Sequence, residues 1–226
     1  MGGDYYDFVE GPARDFTLAV GDAAGKGVPA ALVLAGVQAR FRSEARKGLT
    51  PGQVLEGLNR ELVGLDQPEK FVGLLCARFE VRTGRLWFAN AGLTPPIVRR
   101  RGGQFEELLS GGLLLGVSHG ASYPDETVTL GAGDLVVIYT DGLTEARRGD
   151  ELFGVDRVRE VLDRLATRRA SDILEGLLAG VRAFADRTLD DVTVVVLRQL
   201  TEPMPARVPA AQNSLKWSWR AVETNG

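Results

Sequence analysis

Between Phe71 and Thr140 the sequence is a succession of short apolar runs broken by glycine and proline, and no feature narrows the possible folds more. Phe71 to Val81, Leu86 to Asn90 and Ile97 to Arg99 are separated by Arg82-Thr83-Gly84 and by Gly92 with Pro95-Pro96. Gln104 to Leu109, Glu126 to Leu130 and Leu135 to Thr140 continue the series. Runs bounded in this way predict strands joined by tight turns, an antiparallel β-meander. Glycine supplies the turns, with 28 among 226 residues, well above the typical ~7%.

Helical patterns lie before and after this region. From Val28 to about Arg46 the residues Val28, Ala31, Leu32, Ala35 and Ala39 recur at helical spacing and are the expected core face. Thr50 and Gln53 form a capping box with Pro51 at the first helical position, predicting a helix to about Val63. Val155 to Leu165 and Asp172 to Ala185 read as amphipathic helices, the latter with Ser171 as N-cap. Strands at Phe16 to Val20, ending in Gly21-Asp22, and at Val192 to Leu197 complete the pattern. Helices grouped around strands, not alternating with them, predict an α+β layered domain and argue against a doubly wound parallel sheet. After Leu200 the prolines Pro203, Pro205 and Pro209 mark residues 201–226 as a C-terminal tail, pinned by Trp217 and Trp219. No internal repeat is present.

Hydrophobic residues at 44% and charged residues at 25% suffice for a sizeable core. Lys plus Arg (27) against Asp plus Glu (30) leaves a net charge of −3, which gives no electrostatic footprint for nucleic acid or an anionic membrane. One cysteine, Cys76, excludes a disulfide within the chain, and one histidine, His119, excludes a zinc site built from several His or Cys. A bound metal must therefore be held by oxygen. No apolar run approaches the ~18–20 residues of a membrane span, and no signal-peptide layout opens the chain, so a cytoplasmic location is expected.

The acidic residues are informative by placement. Asp4 and Asp7 lie in Gly2-Gly3-Asp4-Tyr5-Tyr6-Asp7, Asp22 ends Leu18-Ala19-Val20-Gly21, Asp141 follows Leu135 to Thr140, and Asp190-Asp191 precede Val192-Thr193-Val194-Val195-Val196. A carboxylate at the end of a buried strand is costly unless paired. Any one of these is explained as a turn former or helix cap, but the joint pattern favours a cluster for hard cations such as Mg²⁺ or Mn²⁺. Gly21-Asp22-Ala23-Ala24-Gly25-Lys26-Gly27 is not a P-loop, which needs four residues between its glycines and Ser or Thr after the lysine. The EF-hand pattern is also absent.

Five blocks in order then carry a family resemblance: Gly2 to Asp7, Gly21 to Ala31, Ala89-Asn90-Ala91-Gly92, Tyr139-Thr140-Asp141-Gly142-Leu143-Thr144-Glu145-Ala146, and Asp190-Asp191-Val192-Thr193. The chain resembles the metal-dependent protein serine/threonine phosphatases (PPM, type-2C), in the bacterial branch that regulates sigma factors, the sporulation protein E and sigma-B regulator type. The resemblance covers residues 1–200, the expected phosphatase domain. It implies a four-layer α-β-β-α sandwich, two antiparallel sheets flanked by helices, with two Mn²⁺ or Mg²⁺ ions. By the same resemblance Asp22 bridges both metals and the Ala23 carbonyl is a further ligand. Asp141 and Asp190 complete the catalytic set of Asp22, Asp141 and Asp190. Asp4 helps hold or orient a metal, and Asp191 is the alternative to Asp190. The implied reaction is direct hydrolysis of phosphoserine or phosphothreonine by a water shared between the ions, without a phosphoenzyme. The implied substrate is a phosphorylated anti-anti-sigma (STAS-domain) protein of a partner-switching pathway, and a homodimer is the assembly left open.

The sequence departs from the family pattern in three places. A strand usually precedes Gly-Gly-Asp, so the domain is expected to lack its first strand; Leu93 stands where this branch often has His; and no arginine near the start corresponds to the phosphate-binding one of eukaryotic relatives. Lys26 reads equally as that missing cation or as a solvated loop lysine. These departures keep open an alternative, a catalytically weak domain of this fold that binds proteins as a regulatory module. Elsewhere, Cys76 is expected as a small buried hydrophobe, His119 as a loop residue, Arg99-Arg100-Arg101 as a solvated hairpin tip, and Gly111 to Ser122 as a flexible flap.

Overall fold

Along the chain, β1 (Asp4–Glu10) and β2 (Phe16–Ala23) lead into helices α1 (Val28–Ala45) and α2 (Pro51–Gly64). Strands β3 (Val72–Glu80), β4 (Arg85–Ala91), β5 (Ile97–Arg99), β6 (Phe105–Glu107), β7 (Glu126–Thr129) and β8 (Leu135–Tyr139) follow. After a 3-10 turn at Asp141–Leu143 come the two-residue strands β9 (Arg147–Arg148) and β10 (Glu151–Leu152), helices α3 (Gly154–Arg164) and α4 (Ala170–Phe184), β11 (Val192–Arg198) and β12 (Ser218–Thr224). The computed structural model describes residues 3–11, 15–25, 27–64, 70–186 and 191–200 and the backbone of 218–224.

The chain divides into two units, one formed by Met1–Pro95 with Leu109–Thr129 and the other by Pro96–Leu108 with Leu130–Gly226. In the first, five strands run in the order β1-β2-β3-β4-β7, every pairing antiparallel. One face of this sheet carries Tyr5, Val9, Ala19, Leu74, Cys76 and Ala89, packed in one cluster with Val33, Val37 and Phe41 of α1 and Val54, Leu55 and Leu58 of α2. Burying each large apolar side chain stabilises by roughly 1.5–3 kcal/mol, so this cluster holds the helices on the sheet.

The capping box appears as expected: Thr50 N–H donates to Gln53 Oε1 (3.1 Å) and Gln53 N–H to Thr50 Oγ1 (3.4 Å). The expected core face of α1 is corrected. Val28 and Leu32 are 63% and 67% exposed, Ala35 and Ala39 are exposed and Ala31 is half-buried, while Ala30, Val33, Leu34, Val37, Phe41 and Glu44 are buried. This helix has two apolar stripes, and the one that carries the large Phe41 ring wins the sheet.

The second unit is a sheet in the order β12-β11-β8-β5-β6, again antiparallel throughout. Ile97, Leu135, Val137, Tyr139, Val194 and Val196 pack with Val158 and Leu162 of α3 and Ile173, Leu174 and Leu177 of α4. The stretch expected as one meander is thus divided, with β3, β4 and β7 in the first sheet and β5, β6 and β8 in the second. The N-cap of α4 is Arg169, not Ser171; the Asp172 carboxylate accepts the Arg169 N–H (3.3 Å), so the helix starts at Ala170. Part of the expected tail is a strand: β12 pairs with β11, Trp219 opposite Leu197, while Trp217 lies outside the described residues. No helix of the described residues is long and apolar enough to cross a membrane.

Candidate metal centre

In the first unit Asp4 and Asp22 are directly opposite one another across the β1–β2 pair. Alternation places both on the face away from α1 and α2, because Tyr5 and Ala23 are in the helix-packed cluster. Both carboxylates are half-buried. Like charges at opposed positions disfavour a sheet unless something is shared between them. Gly3 shows what the space beside them suits: a Cβ built there would lie 2.7 Å from Asp22 Oδ1, 3.1 Å from the Ala23 carbonyl and 3.3 Å from the Gly25 carbonyl. Three oxygens therefore bound a space that any side chain would fill. The donors are hard oxygen ligands, so the residues present fit Mg²⁺ or Mn²⁺.

The backbone around this cradle is tied down. Ala23 N–H donates to the Gly3 carbonyl and Ala24 N–H to Phe71, each at 2.9 Å. Val72, opposite Ala23, exchanges backbone hydrogen bonds with Leu115 at 3.0 and 2.9 Å. The buried Asn59 side chain donates to the Ser118 carbonyl (2.8 Å) and accepts from Gly116 N–H (2.9 Å). The segment from Gly111 to Ser122, expected as a flexible flap, is therefore anchored beside the Ala23 end of the sheet. Gly92 has φ 77°, and a Cβ there would lie 2.7 Å from Leu114 Cδ2. The Asn90 amide clips the same turn, donating to the Leu93 carbonyl and accepting the Leu93 N–H, both at 2.8 Å. Asn90 and buried Leu93 thus shape a turn.

In the second unit Asp141 opens the 3-10 turn that ends β8, and Asp191 immediately precedes β11. Thr140 N–H donates to the Thr193 carbonyl and Thr193 N–H to Thr140 Oγ1, each at 3.0 Å, fastening the two strand ends together. A Cβ on Gly142 would lie 2.0 Å from the Asp191 carbonyl oxygen, so only glycine permits this approach. Asp141 is exposed and Asp191 half-buried, and the buried Thr193 hydroxyl has no hydrogen-bond partner among the described residues. Asp190 and Lys26 lie outside the described residues. Among the described residues no three His, Cys, Asp or Glu side chains gather as a metal-holding group.

Asp7 is not in the cradle. It is buried on the helix-facing side of β1 and held by Arg42, Tyr5 and the Phe8 N–H. Cys76 is fully buried and burial pushes its thiol well up, while His119 is exposed in its loop. Two of the three arginines at the β5–β6 tip are ion-paired, not merely solvated: Arg99 holds Asp163 at 2.7 Å and Arg100 holds Glu106 (2.6 Å) and Asp134 (3.0 Å), while Arg101 is exposed.

The profile of the stage II sporulation protein E family matches residues 12–200, and the chain belongs to this family. It is 28% identical over 201 residues to the phosphoserine phosphatase RsbU of Bacillus subtilis, covering 88% of this chain and 60% of that protein. The crystal structure of the RsbU and RsbW domains of Rv1364c from Mycobacterium tuberculosis superposes with a TM-score of 0.79 at 25% identity, covering 91% of this chain and 58% of that one. RsbX in complex with magnesium gives 0.66 at 17% identity, covering 87% and 86%. The α+β sandwich expectation is met by this shared fold.

Proposed function

We propose that the chain is a Mn²⁺- or Mg²⁺-dependent protein phosphatase that hydrolyses phosphoserine or phosphothreonine on a protein partner, an anti-anti-sigma (STAS-domain) protein of a bacterial partner-switching pathway. The oxygen cradle at Gly3, Asp22, Ala23 and Gly25 carries this reading. The name of the RsbU relative, a phosphoserine phosphatase, supports the reaction, and the magnesium held by the structurally similar RsbX supports the ion. The chain spans about 60% of RsbU, so the substrate is proposed for this domain and not taken from the whole relative.

The residues proposed to hold two ions are Asp22 and the Ala23 carbonyl with Asp4 beside them, and Asp141 with Asp190 or Asp191. When bound, such ions lower the pKa of water and neutralise charge on phosphoryl oxygens. The chain's part is to fix the donors. The β1–β2 register sets Asp4 against Asp22, the Gly3 to Ala23 hydrogen bond fixes the carbonyl edge, and the Thr140–Thr193 clasp sets Asp141 beside Asp191. No protein nucleophile is required, in keeping with a buried Cys76 and a loop His119.

The test is phosphate release from a phosphoserine-bearing STAS protein with Mn²⁺. Chelator and Asp22→Asn are each expected to lower the rate by at least roughly 100-fold, beyond the usual 10- to 100-fold loss from altering a metal site's supporting shell. Equal turnover in chelator or in Asp22→Asn would overturn the metal mechanism. Tight binding of the phosphoprotein without turnover at saturating Mn²⁺ would overturn the enzymatic reading.

A further inference from the structure

In the second unit, the helix-facing row of β11 runs Val192, Val194, Val196 and then ends in Arg198. Across the sheet Arg198 is opposite Leu135, and Leu135 is opposite Arg99. The apolar row thus finishes in two guanidinium groups at the edge where the α3–α4 turn passes. Arg99 is neutralised by Asp163 at 2.7 Å, whereas half-buried Arg198 donates to the neutral Arg168 carbonyl. Beside it opens a cavity of about 580 Å³ lined by Gly133, Thr167, Arg168, Arg169, Arg198 and Leu200, among others.

Among the described residues no carboxylate compensates the charge here. Arg99, Arg100, Arg148, Arg157 and Arg159 of this unit all pair with carboxylates. Among the described residues none of Arg168, Arg169 and Arg198 does, and no acidic residue lines the cavity. The nearby Asp172 carboxylate faces the Arg169 N–H as the helix cap. Burial, and then the Arg99 charge, push the Arg198 guanidinium down from its ordinary value, the response of a cation that lacks a counter-charge. The positive end of α4, which starts at Ala170, adds to the field.

We propose that this cavity is a second ligand site, built for a small phosphate-bearing anion. Guanidinium forks match phosphate oxygens in pairs, Thr167 supplies a hydroxyl, and Leu200 offers an apolar wall for an organic remainder. The volume is in the range of small-molecule sites. It is separate from the strand end that carries Asp191, since Arg198 lies at the opposite end of β11, about 20 Å away at ~3.3 Å per residue.

The test uses the full chain carrying Asp22→Asn, in chelator, so that neither bound metal nor turnover contributes and the outcome is independent of the phosphatase reading. Inorganic phosphate, pyrophosphate and a nucleoside monophosphate are titrated at constant ionic strength against chloride, with melting temperature as readout. At tenfold its dissociation constant a bound phosphate compound is expected to raise Tm by roughly 3 to 6 °C. A rise with inorganic phosphate identifies the free ion as sufficient, and a rise only with the nucleotide identifies an organic phosphate; either supports the site. R168Q/R169Q, both on exposed residues, is expected to abolish the shift without lowering the starting Tm, and R198Q to reduce it. No rise beyond chloride, or a rise that persists in R168Q/R169Q, overturns the proposal.

Discussion

Arg42 of α1 grips Asp7 of β1 with two prongs, Nε to Oδ2 at 2.6 Å and an Nη to Oδ1 at 2.9 Å. The carboxylate is 6% exposed and also accepts the Tyr5 hydroxyl (3.2 Å) and the Phe8 N–H (2.8 Å). A buried carboxylate is tolerated only when so fully engaged. The contact fastens the helix to the edge strand that carries Asp4. Asp7→Ala strands the Tyr5 and Phe8 donors, and a loss of about 1–3 kcal/mol is expected. A lower urea midpoint with an unchanged m-value checks it; an unchanged midpoint would show that the fork is dispensable.

Two glycines make a paired prediction. Gly36 sits inside α1 with nothing within 4 Å of its would-be Cβ, whereas at Gly142 the Cβ would stand 2.0 Å from the Asp191 carbonyl. Gly36→Ala is expected to stabilise by roughly 0.5–1 kcal/mol through helix propensity. Gly142→Ala must push β11 from the Asp141 turn and is expected to cost at least about 1–3 kcal/mol. Thermal denaturation of both variants separates the cases, and equal effects would contradict the close approach.

The strands from Phe71 to Thr140, those at Phe16 and Val192, and the second helix were legible because their signals are local, whereas β1 and β12 were not. Thr50, Pro51 and Gln53 lie within four residues, and the Gly and Pro breaks bound each run. What was not legible depends on partners distant in sequence. The face α1 buries is decided by Phe41 meeting Tyr5, rings 6.5 Å apart, which no helical period specifies. The division of the meander depends on which edge β7 joins. Asp7 and Asp22 look alike as Asp residues in Gly-containing blocks, yet the register puts Asp22 with Asp4 and turns Asp7 to Arg42, 35 residues away. Asn59 gave no signal beyond being an amide on an apolar helix face; its role needs Gly116 and Ser118 folded back upon it. The Asp blocks were legible as carboxylates at strand ends, because each breaks an apolar run visibly: Asp22 lies at the end of β2, Asp141 follows β8 and Asp191 precedes β11.

Three of the four tyrosines carry an alkaline signature. Burial, then the Asp7 charge, push the Tyr5 phenol far up; burial pushes Tyr139 and Tyr123 up to about 12, with Glu107 and Glu56 adding to the rise. A phenol whose folded value exceeds its unfolded one near ~10 stabilises the fold below that pH and loses the contribution as pH rises towards 12. Stability is expected to fall from about pH 10 upward, with these phenols ionising late in an absorbance titration. Early ionisation of all four at constant ellipticity would show that the rings are not enclosed.

Metal removal tests the cradle without reference to turnover. If Mn²⁺ binds the folded chain through Asp22 and the carbonyls that surround the open side of Gly3, saturating metal stabilises the fold by mass action. At 100 times the dissociation constant this amounts to about 2.7 kcal/mol, or roughly 5 to 10 °C for a chain of this size. Asp22→Asn removes the carboxylate charge and is expected to remove the shift, and Asp4→Asn to weaken it. Gly3→Ala is the sharper variant, because it leaves every acidic residue in place and fills the space with a single methyl, 2.7 Å from Asp22 Oδ1. It is expected to retain the fold by circular dichroism and to lose the Mn²⁺ shift. A Gly3→Ala protein that melts higher with Mn²⁺ by the same margin as the parent would place the ion elsewhere.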